Sequence, residues 1–245
     1  MDQVSPALDI VILTLFPEMF PGLLGHSLAG RGLKEGLWRY KAVNMRDFAK
    51  DRHKTVDDTP FGGGAGMVLR PDVIAAALDS VEKENGTLGK LVYFSPRGRV
   101  LTQAYAKQLV GMQSLVFLCG RYEGVDERVL KAYNAEEVSI GDYVLSGGEV
   151  AAMVTIDVML RLVPGVMGND KTLEEESFAD GLLEYPQFTR PADWQDKKGG
   201  NWAVPELLRQ GNHQQIAQWR REQSEAVTKE KRPDLWCRYW QKKSV

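Results

Sequence analysis

Cysteine is nearly missing: the chain carries two, Cys119 and Cys237, far apart and outside any C-x-x-C spacing. That excludes a disulfide framework and a structural zinc site, and predicts a reducing, cytoplasmic setting. Long hydrophobic runs are missing too. The longest near the start, Leu8 to Phe16, is interrupted by Asp9 and Thr14 and falls far short of the roughly 20 residues of a membrane helix. Asp2 and Asp9 stand where a secretory leader would carry Lys or Arg, so neither export nor a membrane partner is expected. Nor is there an excess of one charge sign, since 31 Lys+Arg face 33 Asp+Glu for a formal −2. A globally basic protein is excluded, and any contact with nucleic acid must rest on local basic clusters. Repeats, low-complexity tracts and the G-x-x-x-x-G-K-[ST] string of P-loop nucleotidases are absent as well.

What is present is the material of a soluble globular chain, 43% hydrophobic and 26% charged over 245 residues, enough for one large domain or two modest ones. Short β-branched runs recur at Asp9–Leu15, Leu37–Asn44, Lys90–Phe94, Ser114–Leu118 and Glu137–Ile140. Helix-length stretches separate several of them: Pro71 to about Glu84, Leu101–Val110 and Val125–Tyr133. The alternation predicts an α/β fold with a largely parallel sheet. Gly147–Val163 is apolar on nearly every face and reads as a buried helix stopped by Pro164-Gly165.

Beyond that helix the composition changes. Residues 165–185, with the run Glu174-Glu175-Glu176, read as a flexible linker between a first domain, 1–164, and a smaller α-helical one, 186–245. Residues 1–185 carry 19 basic and 26 acidic side chains, whereas 186–245 carry 12 and 7 together with five of the six tryptophans. Basic residues interleaved with Trp are the footprint of a surface that stacks on and neutralises looped RNA. The same composition fits a small helical domain with a Trp core and solvated charges.

Phe61–Met67 reads FGGGAGM, but it follows the polar Asp57-Asp58-Thr59-Pro60 where a dinucleotide loop would follow a buried strand. More informative are three glycine- and aromatic-bearing turns, each after a predicted strand. Their candidate ligand-binding residues are Tyr93, Phe94, Ser95 and Pro96 in the first and Gly120, Arg121, Tyr122 and Glu123 in the second. The third supplies Ser139, Ile140, Gly141, Asp142, Tyr143, Val144, Leu145, Gly147 and Gly148. At the carboxyl ends of parallel strands such turns converge on one crevice. Glycines there expose backbone amides and carbonyls to an adenine edge, and the aromatics and Leu145 wall an apolar slot.

Several long strings carry a resemblance: Leu15–Phe20 (LFPEMF), Asp51–Asp58 (DRHKTVDD), the glycine loop, Cys119–Arg128 (CGRYEGVDER) and Ser139–Glu149 (SIGDYVLSGGE). Together they resemble the bacterial tRNA (guanine-N1)-methyltransferases that modify guanine 37, the TrmD family of the SPOUT class. The resemblance implies a parallel sheet with a deep trefoil knot binding S-adenosylmethionine. It also implies a homodimer with active sites at the subunit interface and a C-terminal tRNA-binding domain. Methylating N1 of guanine needs a base to remove its proton and a group to stabilise charge toward O6. By resemblance the base is Glu176, where the family has aspartate before Ser-Phe-Ala, and the charge-stabilising group is Arg161. An i,i+4 ion pair with Asp157 is the alternative role for Arg161. Glu123 would face the methionine end of the donor. Magnesium is a candidate cofactor through water-mediated contacts to such carboxylates, although no dedicated metal cage is present. The RNA-binding candidates are Asp51, Arg52, His53 and Lys54 in the early basic segment and Asn212, His213 and Arg220 near the end. Lys and Arg would position phosphates, and Asp and Asn could read base edges. A non-catalytic RNA-binding protein is the competing reading; a nucleotide-dependent oxidoreductase is disfavoured because no G-x-G-x-x-G follows a strand.

Overall fold

In the computed structural model, which describes residues 8–112, 114–168, 177–178 and 180–243, the chain divides into two compact units, Met1–Asp170 and Lys171–Val245. The first is built on β1 (Leu8–Thr14), β2 (Trp38–Asn44), β5 (Lys90–Val100), β6 (Leu115–Leu118) and β7 (Glu136–Ser139). They form one sheet in the order β2-β1-β6-β5-β7 with every pairing parallel. Two further short strands, β3 (Asp57–Asp58) and β4 (Val68–Leu69), pair antiparallel with each other. Six of the seven β1 residues are buried because helices cover both faces.

Side chains alternate between two cores. Ile10, Ile12, Val92, Phe94 and Phe117 share one with α3 (Gln103–Val110) and α5 (Gly148–Leu160). Val11, Leu13, Leu91, Tyr93, Val116 and Leu118 share the other with α2 (Pro71–Asn85) and α4 (Glu127–Ala132). Local chemistry sets the helix ends. Pro71 opens α2 and Gly86 closes it at φ 75°. The Thr102 hydroxyl caps α3 by accepting from the Tyr105 N–H, and Asp126 caps α4 by accepting from the Arg128 N–H.

Besides the short β3–β4 pair, which the sequence analysis does not include, the structure departs from the sequence-based elements in three places. First, α1 (Ser27–Lys34) occupies a stretch where Gly30 and Gly32 weaken the helical signal; both glycines are buried, and the Trp38 indole donates to the Ala29 carbonyl at 2.8 Å. Second, β5 does not stop at Phe94. It runs on to Val100, with Phe94 and Arg99 both paired to Val138 and residues 95–98 bulging out between them. Gly98 permits this, since a Cβ there would lie 2.3 Å from the Glu137 carbonyl carbon.

The third departure lies in the second unit, where helices were expected throughout. A hairpin of β8 (Asp193–Gln195) and β9 (Asn201–Ala203) precedes α6 (Glu206–Arg209), α7 (His213–Lys231) and α8 (Pro233–Lys243). Asp196 in its turn accepts from the Lys198 and Gly200 N–H groups and from the Trp202 indole. α7 packs on α8 through Tyr239, whose hydroxyl donates to Glu225 at 2.9 Å. Thr228 is buried, its hydroxyl donating to the Ser224 carbonyl and accepting from the Leu183 N–H. Among the described residues no helix is long and apolar enough to cross a membrane.

Candidate active site at the strand ends

The carboxyl ends of β5, β6 and β7 deliver the β5 bulge, turn 119–124 and turn 140–148 to one crevice of about 260 Å³. It is lined by Tyr93, Phe94, Ser95 and Pro96, by Gly120, Arg121, Tyr122 and Glu123, and by Ser139, Ile140, Gly141, Tyr143, Val144, Leu145, Gly147 and Gly148. Asp142 does not line it and is exposed. Gly124, Val138, Ser146 and Ala151 complete the wall. Gly124 and Ser146 lay inside the turns the sequence singled out; Val138 and Ala151 carry no local signal.

Close approach explains the residue choices. The Tyr93 ring lies where a Cβ on Gly120 would stand, at 2.8 Å, and burial pushes the Tyr93 phenol above its ordinary pKa. Tyr122 holds φ 58°, a conformation that costs a bulky L-residue about 1–3 kcal/mol and clusters at binding loops. The crevice is therefore lined by closely packed main chain and aromatic side chains, a narrow slot suited to a flat ring such as a purine. Burial, followed by the Glu149 charge, pushes the Cys119 thiol well up, so it stays protonated and is no nucleophile.

Glu123 is exposed at the end of the second turn, and its position explains one glycine of the FGGGAGM loop, Gly66. Its N–H donates to the Met67 carbonyl at 2.9 Å, and the Leu69 N–H donates to the Gly124 carbonyl at 2.9 Å. A Cβ on Gly66, which holds φ 88°, would stand 2.5 Å from the Glu123 side chain. Gly66 and Met67, the end of FGGGAGM, thus lie directly against Glu123, whereas a Cβ on Gly62, Gly63 or Gly64 would meet open space. Arg161 caps the C-terminus of α5 and is half-buried, its N–H donating to the Asp157 carbonyl at 3.3 Å. Glu174, Glu175 and Glu176 lie outside the described residues. Among the described residues no cluster of three or more His, Cys, Asp or Glu could hold a metal ion.

The model for the family tRNA (guanine-1)-methyltransferase TrmD matches residues 8–238, which span both units. The chain belongs to the TrmD family. A relative from Rhodospirillum rubrum, named tRNA (guanine-N(1)-)-methyltransferase, is 57% identical over 233 residues, 95% of this chain and 94% of the relative. Relatives of the same name from Bartonella henselae and Ruegeria pomeroyi are 54% and 51% identical over 228 residues each, 93% of this chain and 94% and 92% of their own.

Within this TrmD-family chain the residues expected to contact RNA are not equally placed to do so. Both Asp51 oxygens are engaged in their own loop. Oδ1 accepts from the His53 N–H and the Thr55 hydroxyl, and Oδ2 accepts from the Thr55 N–H. Desolvation would raise the Asp51 carboxyl, but the bonds from Thr55 and His53 outweigh it and hold it below the usual carboxylate range. Lys54 pairs with Asp47 at 2.9 Å, whereas the Arg52 and His53 side chains are exposed. In the second unit Asn212 caps α7 by accepting from the Gln215 N–H, His213 is exposed, and the Arg220 guanidinium lies 4.7 Å from the Tyr185 ring centre. The tryptophans differ in how they are packed. Trp236 packs on Tyr239 with ring centres 5.7 Å apart, whereas Trp194 and Trp202, directly paired across the hairpin, are 56% and 61% exposed.

Proposed function

We propose that this chain transfers a methyl group from S-adenosylmethionine to N1 of guanine 37 in tRNA, beside the anticodon, giving N1-methylguanosine and so maintaining the reading frame. The observation that carries the proposal is the convergence of three glycine-bearing segments on one crevice at the strand ends, inside the stretch that matches the TrmD family. The main chain of the turns at Gly120, Gly141 and Gly147, with the apolar wall of Ile140 and Leu145, fits the flat base of an adenosine. When bound, S-adenosylmethionine supplies a methyl group already activated by the sulfonium charge.

The chain's own residues orient the substrates and move one proton. Glu176 takes the proton from guanine N1, Arg161 stabilises the charge that develops toward O6, and Glu123 attracts the positive methionine end of the donor. No step is assigned to magnesium. The TrmD match and the path of α5 support a deep trefoil knot. α5 follows the edge strand β7, yet the Gly148 N–H donates to the Gly120 carbonyl after β6, and Glu149 accepts from Thr14 at the end of β1. A homodimer is supported by the one exposed stripe of α5. Val150 and Val154 are 45% and 39% exposed on a helix that is otherwise mostly buried, and Arg161, seven residues past Val154, falls on the same stripe. The reaction is cytoplasmic in this reading. Residues 1–164 form the methyltransferase domain, 165–185 the linker and 186–245 the tRNA-binding domain.

The test is labelled methyl transfer onto tRNA transcripts carrying guanine or adenine at position 37. Label enters the guanine transcript alone; equal labelling of both refutes the target base. For RNA contact, Trp194 and Trp202 offer paired faces beside Lys197 and Lys198 in the hairpin turn. Base–aromatic stacking contributes about 1–3 kcal/mol per base, so replacing both tryptophans with alanine raises the KM for tRNA about tenfold or more. An unchanged KM for tRNA in the double variant assigns the hairpin another role.

A further inference from the structure

Among the described residues Glu149 is the one charged side chain that is buried, at 0% exposure. A carboxylate taken out of water costs several kcal/mol unless it is paired and hydrogen-bonded, so its retention needs a physical reason. Its position in the first turn of α5 puts it at the positive end of the helix. Two further groups satisfy it from distant parts of the chain. Oε1 accepts from the Thr14 hydroxyl at 2.7 Å, and Thr14 is held in that orientation because its oxygen accepts from the Phe16 N–H at 3.0 Å. Oε2 lies 2.9 Å from Nη2 of Arg121, an ion pair in which the Oε2 geometry is not aligned as a hydrogen bond.

Arg121 is fixed in turn. Its Nη1 donates to the Ser146 carbonyl at 3.3 Å, and its guanidinium carbon lies 4.5 Å from the centre of the Phe16 ring. Its charged end therefore serves the protein interior, while the residues on either side of it, Gly120 and Tyr122, line the crevice. Gly147 fits into what space is left: a Cβ there would stand 2.4 Å from Nε of Arg121 and 2.6 Å from Oε2 of Glu149.

We propose that Glu149 is a positioning residue for the methyl-donor crevice, acting through Arg121. It clamps turn 119–124 against turn 140–148 and anchors both to the end of β1. The Gly148 N–H donates to the Gly120 carbonyl at 2.9 Å, and the buried ion pair adds a second, side-chain tie between the same two turns. The proposal rests on reading the crevice as the donor site.

Calorimetry of S-adenosylmethionine binding to the full chain, with thermal unfolding beside it, tests this. Glu149→Gln keeps the shape and the acceptor for Thr14, but it turns an amide donor toward the guanidinium donors and pushes Arg121 away. The folded Glu149→Gln protein is expected to bind the donor at least tenfold more weakly, with the donor KM rising by a larger factor than kcat falls. Arg121→Met gives a similar loss. The double variant is expected to be no worse than the worse single, because neither charge is left alone. Thr14→Val, which leaves the ion pair intact, weakens binding about threefold and provides a milder arm should Glu149→Gln not fold. A lowered melting temperature with donor affinity unchanged in folded Glu149→Gln or in both folded Arg121→Met and Thr14→Val would overturn the proposal, as would a double variant showing the product of the single losses. Failure of the wild-type chain to bind the donor overturns the donor-site reading itself, and is distinguished from the other results by the wild-type titration alone.

Discussion

Replacing Arg161 with alanine is expected to slow methyl transfer at saturating substrates by about 10²–10³, the usual loss on removing one group that stabilises developing negative charge. Donor binding in the absence of tRNA is expected to change little, because Arg161 is not among the residues lining the crevice. Two structural roles compete with this one. A cation near a helix C-terminus contributes about 0.3–1 kcal/mol to stability, and an i,i+4 pair with Asp157 a few tenths more. Either would appear as a small drop in melting temperature with the rate intact. Arg161→Met separates them further, since it keeps the aliphatic bulk at the half-buried end of α5 and removes only the charge. Single-turnover transfer of labelled methyl is the measurement, and a rate near wild type in folded Arg161→Ala would remove Arg161 from the chemistry.

The strands were readable in the sequence for a simple reason. A parallel strand covered on both faces is apolar at nearly every position, so DIVILTL, KLVYF and SLVFL stand out against their surroundings, and the structure puts β1, β5 and β6 within a residue or so of their expected starts. The extension of β5 was not readable. Ser95-Pro96-Arg97-Gly98 has the composition of a loop, and only the tight approach of Gly98 to Glu137 shows that the strand resumes beyond it. α1 and the Trp hairpin were missed because short elements rich in glycine or polar residues carry no period long enough to recognise.

The crevice was legible at the level of turns and not at the level of side-chain direction. Arg121 was read as a donor-binding residue from its place in CGRYEG, and it does line the crevice, yet its guanidinium is directed to Glu149 and Ser146. Glu149 itself does not stand out in the sequence as a functional residue. An acidic residue in the first turn of a helix is ordinarily a solvated partner of the helix dipole, and Thr14 is 135 positions away. The one available signal was a lone acid directly after two glycines in a segment with no other charge until Asp157. Asp51 is the converse case. Read as a possible reader of base edges, it spends its oxygens on the turn that presents Arg52 and His53.

Glu176→Gln is expected to lower the single-turnover rate by about 10²–10⁴, the range for loss of a positioned general base. The wild-type rate should rise with pH and level off once the base is ionised, and the Gln variant should lose that limb, because its side chain has no proton to give up. Two neighbours sharpen the test, since Glu174 and Glu175 precede it in the same run. Glu175→Gln leaves a carboxylate at 176 and keeps its rate. Glu176→Asp restores the residue type the resemblance leads one to expect before Ser177-Phe178-Ala179, at the cost of one methylene of reach. Glutamate and aspartate differ by only about 0.4 in ordinary pKa, so proton affinity alone does not separate them. A fast Asp variant would then show that the segment adjusts to the shorter side chain, and a slow one that the extra methylene sets the distance to N1. Full activity in Glu176→Gln with loss in Glu175→Gln moves the base by one residue and overturns the role of Glu176.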